Sequence, residues 1–266
     1  MLEIPPNRWL ESDRYDSYIG RWSKLVAKRF IDWLDSAPAL RWLDVGCGTG
    51  ALTAAILDRA EPTAVMGFDS SYAFVNHTRA RYIDRRASFE VGQAQALPFR
   101  TNFFDMAVSG LVLNFVSDQK AALKEMQRVV KPGGMTALYV WDYAGKMEML
   151  RYFWDSAIAQ DPDALPFDEG RRFPICDPDR LRTLFESTGF QDVAVRAIDV
   201  TTFFRDFDDY WHPFLGSQGP APAYAMSLSE ERRKSLRFRI KGSLPSNPGG
   251  GISLTARAWA VSGRVP

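Results

Sequence analysis

The sequence predicts an α/β fold: a doubly wound, seven-stranded, mostly parallel sheet with an antiparallel last strand and helices on both faces. Three observations carry this prediction. An apolar run, Leu40 to Val45, leads into the glycine turn Gly46-Cys47-Gly48-Thr49-Gly50 and then directly into the helical spacing of Ala51 to Arg59. Short apolar runs then alternate with amphipathic segments as far as residue 142, the pattern left by right-handed βαβ crossovers. The 266 residues, 46% hydrophobic and 24% charged, suffice for one large core with embellishments.

Taken in order, residues 1 to 11 read as irregular, because Pro5-Pro6 excludes a regular helix. Ser12 or Asp13 caps a predicted helix to about Leu34, with Tyr15, Tyr18, Trp22, Leu25, Val26, Phe30 and Trp33 on its apolar face. Strand one and the glycine turn follow. Ala64 to Phe68 is the second strand and ends in Asp69, after which Ser70 or Ser71 caps a helix to about Ile83. Phe89 to Val91 and Phe104 to Ser109 are strands, Asp118 to Val130 a helix. Lys131-Pro132-Gly133-Gly134 breaks it, and Met135 to Trp141 is the fifth strand. Lys146 to Gln160 reads as a helix and Asp161 to Pro174 as a loop. Asp177 to Thr188 is a helix with Gly189 as its stop, Phe190 to Asp199 a strand, Ser229 to Ile240 a helix and Ser253 to Val261 the last strand. One domain, 1–266, is expected. Its core is about 36–142 and 177–262, and its cap comes from 1–35, 143–176 and 203–250.

A net charge of +1 gives no electrostatic case for nucleic acid. Cys47 and Cys176 make neither a disulfide framework nor a metal-ligand spacing, so no metal is expected. The amino-terminus lacks a basic-then-apolar leader, and no apolar run approaches the roughly 20 residues of a bilayer span. The expectation is a cytoplasmic protein without membrane insertion.

The glycines let the backbone turn sharply and approach a ligand, and they deliver it to the free N–H groups of a helix start. Gly46, Gly48 and Ala51 also satisfy the dinucleotide pattern G-x-G-x-x-A, so the turn alone leaves the nucleotide open. The order of motifs is more specific. Leu43-Asp44-Val45-Gly46-Cys47-Gly48-Thr49-Gly50 precedes Gly67-Phe68-Asp69-Ser70-Ser71, then Gly92-Gln93-Ala94-Gln95-Ala96-Leu97-Pro98-Phe99, Phe104-Asp105 and Arg128-Val129-Val130-Lys131-Pro132-Gly133-Gly134. This series resembles the class I S-adenosylmethionine (SAM) dependent methyltransferases with their Rossmann-like sheet, in the type 11 branch related to ubiquinone and menaquinone biosynthesis. The likeness is strong over residues 40 to 142 and looser elsewhere.

The resemblance implies SAM as cofactor and S-adenosylhomocysteine as product. It implies that Asp44 and Gly46 hold the methionine amino group, within the turn that Gly48 and Gly50 shape. It places Asp69 at the ribose hydroxyls and Gln93-Ala94 at the adenine, with Gln93 standing where the family most often has Asp, and it counts Ser70 among the cofactor-binding residues. Ser109 to Leu111 would line the methionyl portion, and Arg21 is a candidate partner for its carboxylate. Cys47 reads as structural.

No catalytic dyad is needed, since the sulfonium methyl is already activated and in-line placement does most of the work. His212, Asp142 and Tyr143 are the candidates should the acceptor need a base; His77 is expected to be exposed. Ser109-Gly110-Leu111-Val112-Leu113-Asn114 lacks the N/D-P-P-Y/F pattern of nucleic-acid and protein amide methylation, and there is no Pro-Cys pair for pyrimidine carbon-5 attack. Aromatics (Tyr15, Tyr18, Trp22, Trp154, Phe173, Phe203, Phe204, Tyr210, Trp211, Phe214) suit a cap lining the site for a small, apolar or aromatic methyl acceptor, or else form the core of that cap. A homodimer fits this reading. Two alternatives stand beside it: a SAM-binding sensor or partner subunit without turnover, and an NAD-dependent oxidoreductase, for which no Tyr-x-x-x-Lys follows a suitable strand.

Overall fold

The computed structural model describes residues 20–266 apart from 217, 218, 246 and 248, and Arg21 by its backbone alone. Tyr15, Tyr18, the expected cap at Ser12 or Asp13 and the side-chain role suggested for Arg21 lie outside the described residues.

Seven strands form one sheet in the order β3-β2-β1-β4-β5-β7-β6. They are β1 (Arg41–Val45), β2 (Ala64–Asp69), β3 (Ala87–Val91), β4 (Phe104–Gly110), β5 (Val130–Trp141), β6 (Gln191–Phe204) and β7 (Ile252–Arg264). The pairs β1/β2, β2/β3, β1/β4 and β4/β5 are parallel. β7 runs the other way. Gly133 N–H donates to Val265 O and Asp142 N–H to Arg257 O (2.8 and 2.9 Å), so numbers fall along β7 as they rise along β5. Asp192–Arg264 and Asp199–Arg257 ion pairs show the same reversal against β6. Strand order turns back between β1 and β4, which makes the carboxyl ends of these strands the expected ligand edge.

The chain folds as two compact units. The sheet unit holds Ser23–Val140, Ile175–Ile198 and Ala258–Pro266. Its helices include α1 (Arg21–Leu34), α2 (Ala51–Arg59), α3 (Tyr72–Arg81), α4 (Gln119–Val129) and, further on, Pro178–Thr188. Val26, Phe30 and Ile31 bury the apolar stripe of α1, but Leu25 is 47% exposed, because it falls outside that stripe's arc. Ser71 caps α3, which stops at Arg81. The Lys131-Pro132-Gly133-Gly134 segment does not merely precede β5 but lies within it. Register jumps from Phe104↔Val130 to Met106↔Met135, and Gly133 takes φ 76° to absorb the extra residues.

The insert unit holds Trp141–Pro174 and Asp199–Arg257, with Trp22. It contains α5 (Glu148–Gln160), α6 (Glu169–Arg172), α8 (Phe207–Trp211), α9 (Pro220–Ser227) and α10 (Glu230–Ser243), with Pro178–Thr188 of the sheet unit counted as α7. The expected loop after Asp161 is largely ordered into a 3₁₀ turn, Pro162–Phe167, and α6. Asp161 and Asp168 side chains cap these turns. The aromatics resolve in favour of a core: Trp154, Phe204, Tyr210 and Phe214 are wholly buried, with Trp22, Phe173 and Trp211 nearly so. Phe153 stacks on Phe214 at 4.6 Å, and Tyr210 Oη donates to Met149 O at 2.8 Å. Phe203, facing the opposite side of β6 from Phe204, is exposed. Within this core, Trp154 Nε1–H donates to the buried carboxyl of Glu169, and Arg151 clamps Asp168 with two bonds of 2.9 Å. Among the described residues, no helix is long and apolar enough to cross a membrane.

Candidate functional site

The glycine turn is built for close approach. Gly46, Gly48 and Gly50 have φ of 79°, 50° and 83°, backbone shapes that a Cβ disfavours. Space forbids side chains as well: a Cβ on Gly46 would lie 2.5 Å from Val112, and one on Gly50 2.4 Å from Tyr82. Thr78 of α3 supports the turn from behind by donating to Gly48 O at 2.7 Å.

Two acids flank the turn. Asp44, at the carboxyl end of β1 between Gly67 and Val108, is completely buried. Its Oδ2 accepts from Thr53 Oγ1 at 2.6 Å, while Oδ1 is buried with no hydrogen-bond partner. Burial pushes its carboxyl up to about 7, against the bond from Thr53. A bare buried carboxylate oxygen is expensive unless a donor or cation meets it. Asp69 ends β2, and its two oxygens accept from Gly48 N–H (2.9 Å) and Ser71 N–H (2.8 Å). It thereby ties the glycine turn to the second strand. Burial raises its pKa too, against those two bonds.

Beside Asp69 lies a cavity of about 200 Å³ lined by Val45, Gly46, Phe68, Asp69, Ser70, the Gly92–Gln95 loop, Val112 and the Phe115–Ser117 stretch; Asp44 lies behind its wall and not in it. Gln93 is exposed, and Ala94 is half-buried. Among the described residues, neither the Gln93 side-chain amide nor the Ala94 N–H has a protein partner. The wall from Val112 to Ser117 was not foreseen from sequence, although it follows the end of β4 on the same sheet edge, which is the signal that would have found it. Between Val112 and Phe115, Asn114 is outside the lining; it is 8% exposed and both polar atoms of its amide lack partners.

The sequence profile described as "Methyltransferase domain" matches residues 43–138. A demethylmenaquinone methyltransferase from Staphylococcus aureus (strain JH9) is 30% identical over 190 residues, covering 65% of this chain and 77% of that protein. The chain belongs to the class I SAM-dependent methyltransferases, in their type 11 branch. Solved structures agree on the fold. A candidate methyltransferase from Bacillus halodurans C-125 superposes with a TM-score of 0.60 at 15% identity, over 90% of this chain and 98% of that one. Phosphoethanolamine N-methyltransferase 2 from Haemonchus contortus, solved with phosphomonomethylethanolamine and S-adenosylhomocysteine, gives 0.57 at 16% identity, over 96% and 56%.

This methyltransferase is SAM-dependent, and its residues fit that cofactor on two observations. The bare Oδ1 of Asp44 is the acceptor a methionine ammonium group calls for, and Gly48, where a Cβ would meet only Gly46 O at 4.0 Å, leaves backbone open to close approach. Ser109 is not in the cavity wall: it is buried and donates to Val45 O at 2.7 Å, joining β4 to β1. Leu111 holds φ 62°, an unusual conformation for a bulky residue, fixed by its N–H bond to Tyr139 O at 2.8 Å. Cys47 packs with Val75 and Phe89, and burial drives its thiol pKa well up; such a thiol is unreactive.

The base candidates belong to the insert unit. Asp142 spends both oxygens on the N–H groups of Gly145 and Lys146, at 3.0 and 2.9 Å, closing a turn. Tyr143 is buried with its ring 5.6 Å from Phe173. His212 is exposed in a 3₁₀ turn. His77, expected to be exposed, is half-buried on α3, one residue from fully buried Thr78.

Proposed function

We propose that this methyltransferase transfers the SAM methyl group by in-line displacement to a small, apolar or aromatic acceptor. The observation that carries the cofactor half is the buried, half-partnered carboxylate of Asp44 at the carboxyl end of β1. When bound, SAM supplies an electrophilic methyl on a sulfonium, so the protein's task is placement. Asp44 and Gly46 hold the methionine ammonium group, and Asp69 accepts from the ribose hydroxyls with Ser70 beside it. Ala94 N–H reads an adenine ring nitrogen while the Gln93 carbonyl accepts from the exocyclic amine. Ser109 and Leu111 shape the methionyl end from the backbone, and Gly48 and Gly50 hold the turn.

The acceptor reading rests on the missing N/D-P-P-Y/F pattern and on the S. aureus relative, whose name gives demethylmenaquinone as what it methylates. A proton must be removed only if the acceptor carries it at the reacting atom, which leaves the base assignment to the acceptor's identity. Binding without turnover remains the rival outcome. The G-x-G-x-x-A reading loses its force with the family assignment.

Calorimetric titration with SAM and S-adenosylhomocysteine tests the site. Asp69→Ala is expected to weaken both by about 1.5–3 kcal/mol, the worth of hydrogen bonds to a charged acceptor; an unchanged dissociation constant removes Asp69 from the ribose site. Radiolabelled methyl transfer to a panel headed by demethylmenaquinone and simpler hydroxylated arenes tests the acceptor. Transfer confined to amines or to polypeptide overturns the aromatic reading.

A further inference from the structure

The adenine loop, Gly92 to Phe99, is held by an ion pair that never reaches the cavity. On α4, Glu125 and Arg128 sit three residues apart and face each other, with Arg128 Nε 2.7 Å from Glu125 Oε1. Both then turn to the loop's backbone. Arg128 Nη1 donates to Phe99 O at 2.7 Å and Nη2 to Leu97 O at 2.9 Å, while Glu125 Oε2 accepts from Leu97 N–H at 2.8 Å. Three bonds from one side-chain pair therefore fix two loop residues. At the other end Gly92 N–H donates to Asp69 O at 2.9 Å, and Ala96 N–H closes a turn onto Gln93 O at 3.0 Å. The Phe99 ring packs edge-on against Phe68, which itself lines the cavity, and against Phe104.

This clamp matters more here because the loop carries Gln93 in place of an acid. A neutral amide on an exposed, rotatable side chain discriminates weakly. Reading then falls to the Ala94 N–H, and a backbone donor is selective only as far as the backbone is fixed. An adenine offers an unprotonated ring nitrogen to that N–H, whereas a hypoxanthine presents its own N–H at the same place. Two donors then meet, and one is left unpaired.

Resting on the SAM site read above, we propose that Glu125 and Arg128 are positioning residues for base recognition: the pair holds the Gly92–Phe99 loop so that Ala94 distinguishes adenine from other purines. The bonds run to main-chain atoms, so they fix the loop's backbone directly, beside the packing of Phe99. The guanidinium–carboxylate contact also keeps Glu125 ionised, its pKa lowered first by the bond from Arg128. A fork of planar donors is required to reach two carbonyls and a carboxylate at once, which lysine cannot do.

The test is a ratio. S-adenosylhomocysteine and S-inosylhomocysteine are titrated into the wild type, Arg128→Ala, Arg128→Lys and Glu125→Gln, with the unliganded melting temperature of each recorded. The wild type is expected to prefer the adenine ligand. Arg128→Ala is expected to shrink that preference by about tenfold, roughly one lost discriminating hydrogen bond. Arg128→Lys keeps part of it through one carbonyl. Glu125→Gln, an isosteric change that protects the fold, reduces it by a smaller factor. A preference retained in full by folded variants with lowered melting temperatures makes the pair purely structural and overturns the proposal. A wild type that binds both ligands equally, or neither, overturns the site reading beneath it.

Discussion

Asp44 in the sheet unit and Glu169 in the insert unit are both buried carboxyls that burial has pushed up to about 7. Their surroundings differ in one respect. Asp44 stands at a strand's carboxyl end beside a glycine turn and keeps one oxygen bare. Glu169 opens a short helix inside an aromatic core, where it takes the indole N–H of Trp154. A shifted pKa alone therefore does not separate a ligand-binding acid from a structural one. What sets Asp44 apart is its unmade hydrogen bond together with its place on the sheet edge, the ground on which it is proposed to bind the cofactor.

That distinction breaks most visibly at Glu169. Glu169→Ala leaves the Trp154 N–H unpaired and opens a void, and is expected to cost about 2–4 kcal/mol of stability with SAM affinity unchanged. A drop in melting temperature without change in the calorimetric constant supports this; a weakened ligand with an intact fold would move Glu169 into the binding machinery. Asp44→Ala should do the reverse. SAM affinity falls by about 1.5–3 kcal/mol, while unliganded stability stays within about 1 kcal/mol, because removing a desolvated carboxyl offsets the bond lost by Thr53. A collapsed melting temperature with normal affinity in the remaining folded protein would erase the contrast.

The smallest expected effect on ligand binding is its dependence on pH, which follows from how these acids titrate. An acid whose folded pKa lies above its unfolded value binds more protons when folded, so stability is greatest below about pH 4 for that group and declines as pH rises towards 7. Both Asp44 and Glu169 contribute in that window, and Asp44→Asn and Glu169→Gln should each flatten the slope in differential scanning of the unliganded protein. Only Asp44 should also couple to ligand. A methionine ammonium group needs the ionised form, so SAM binds about tenfold more weakly at pH 6 than at pH 8. Equal affinity at the two pH values denies that contact.

Much of the sheet edge was legible because its signals are local. The glycine turn, the acid at each strand end, the Ser71 and Asp177 caps and the Gly189 stop each follow from a few adjacent residues. What eluded the sequence depends on distant partners. Nothing near Glu169 announces that Trp154 will donate to it. Leu25 keeps the i, i+3 spacing from Trp22, yet the arc that is buried lies on the other side of Trp22, and only the packed helix shows which side that is. The Pro-Gly-Gly of β5 reads as a break, but ladder bonds to Val265 draw it into the strand. The aromatics of the insert unit were equally consistent with a wall or a core until Phe153 and Phe214 were seen to stack. Val112 to Ser117 lacked any motif, and only its position after β4 marks it.

The route of the chain has a consequence for inheritance. Trp141–Pro174 leaves the sheet unit within β5 and returns at the turn around Pro174 and Ile175, whereas Asp199–Arg257 leaves within β6 and returns within β7, so three of these four junctions lie inside strands. No single cut frees the insert unit as a cassette. A lineage, or an engineer, exchanging one such insert set for another must cross over at several ladder positions together. Point substitution within the inserts is thus the accessible route of divergence, while the cofactor turn, wholly within the sheet unit, can stay as it is.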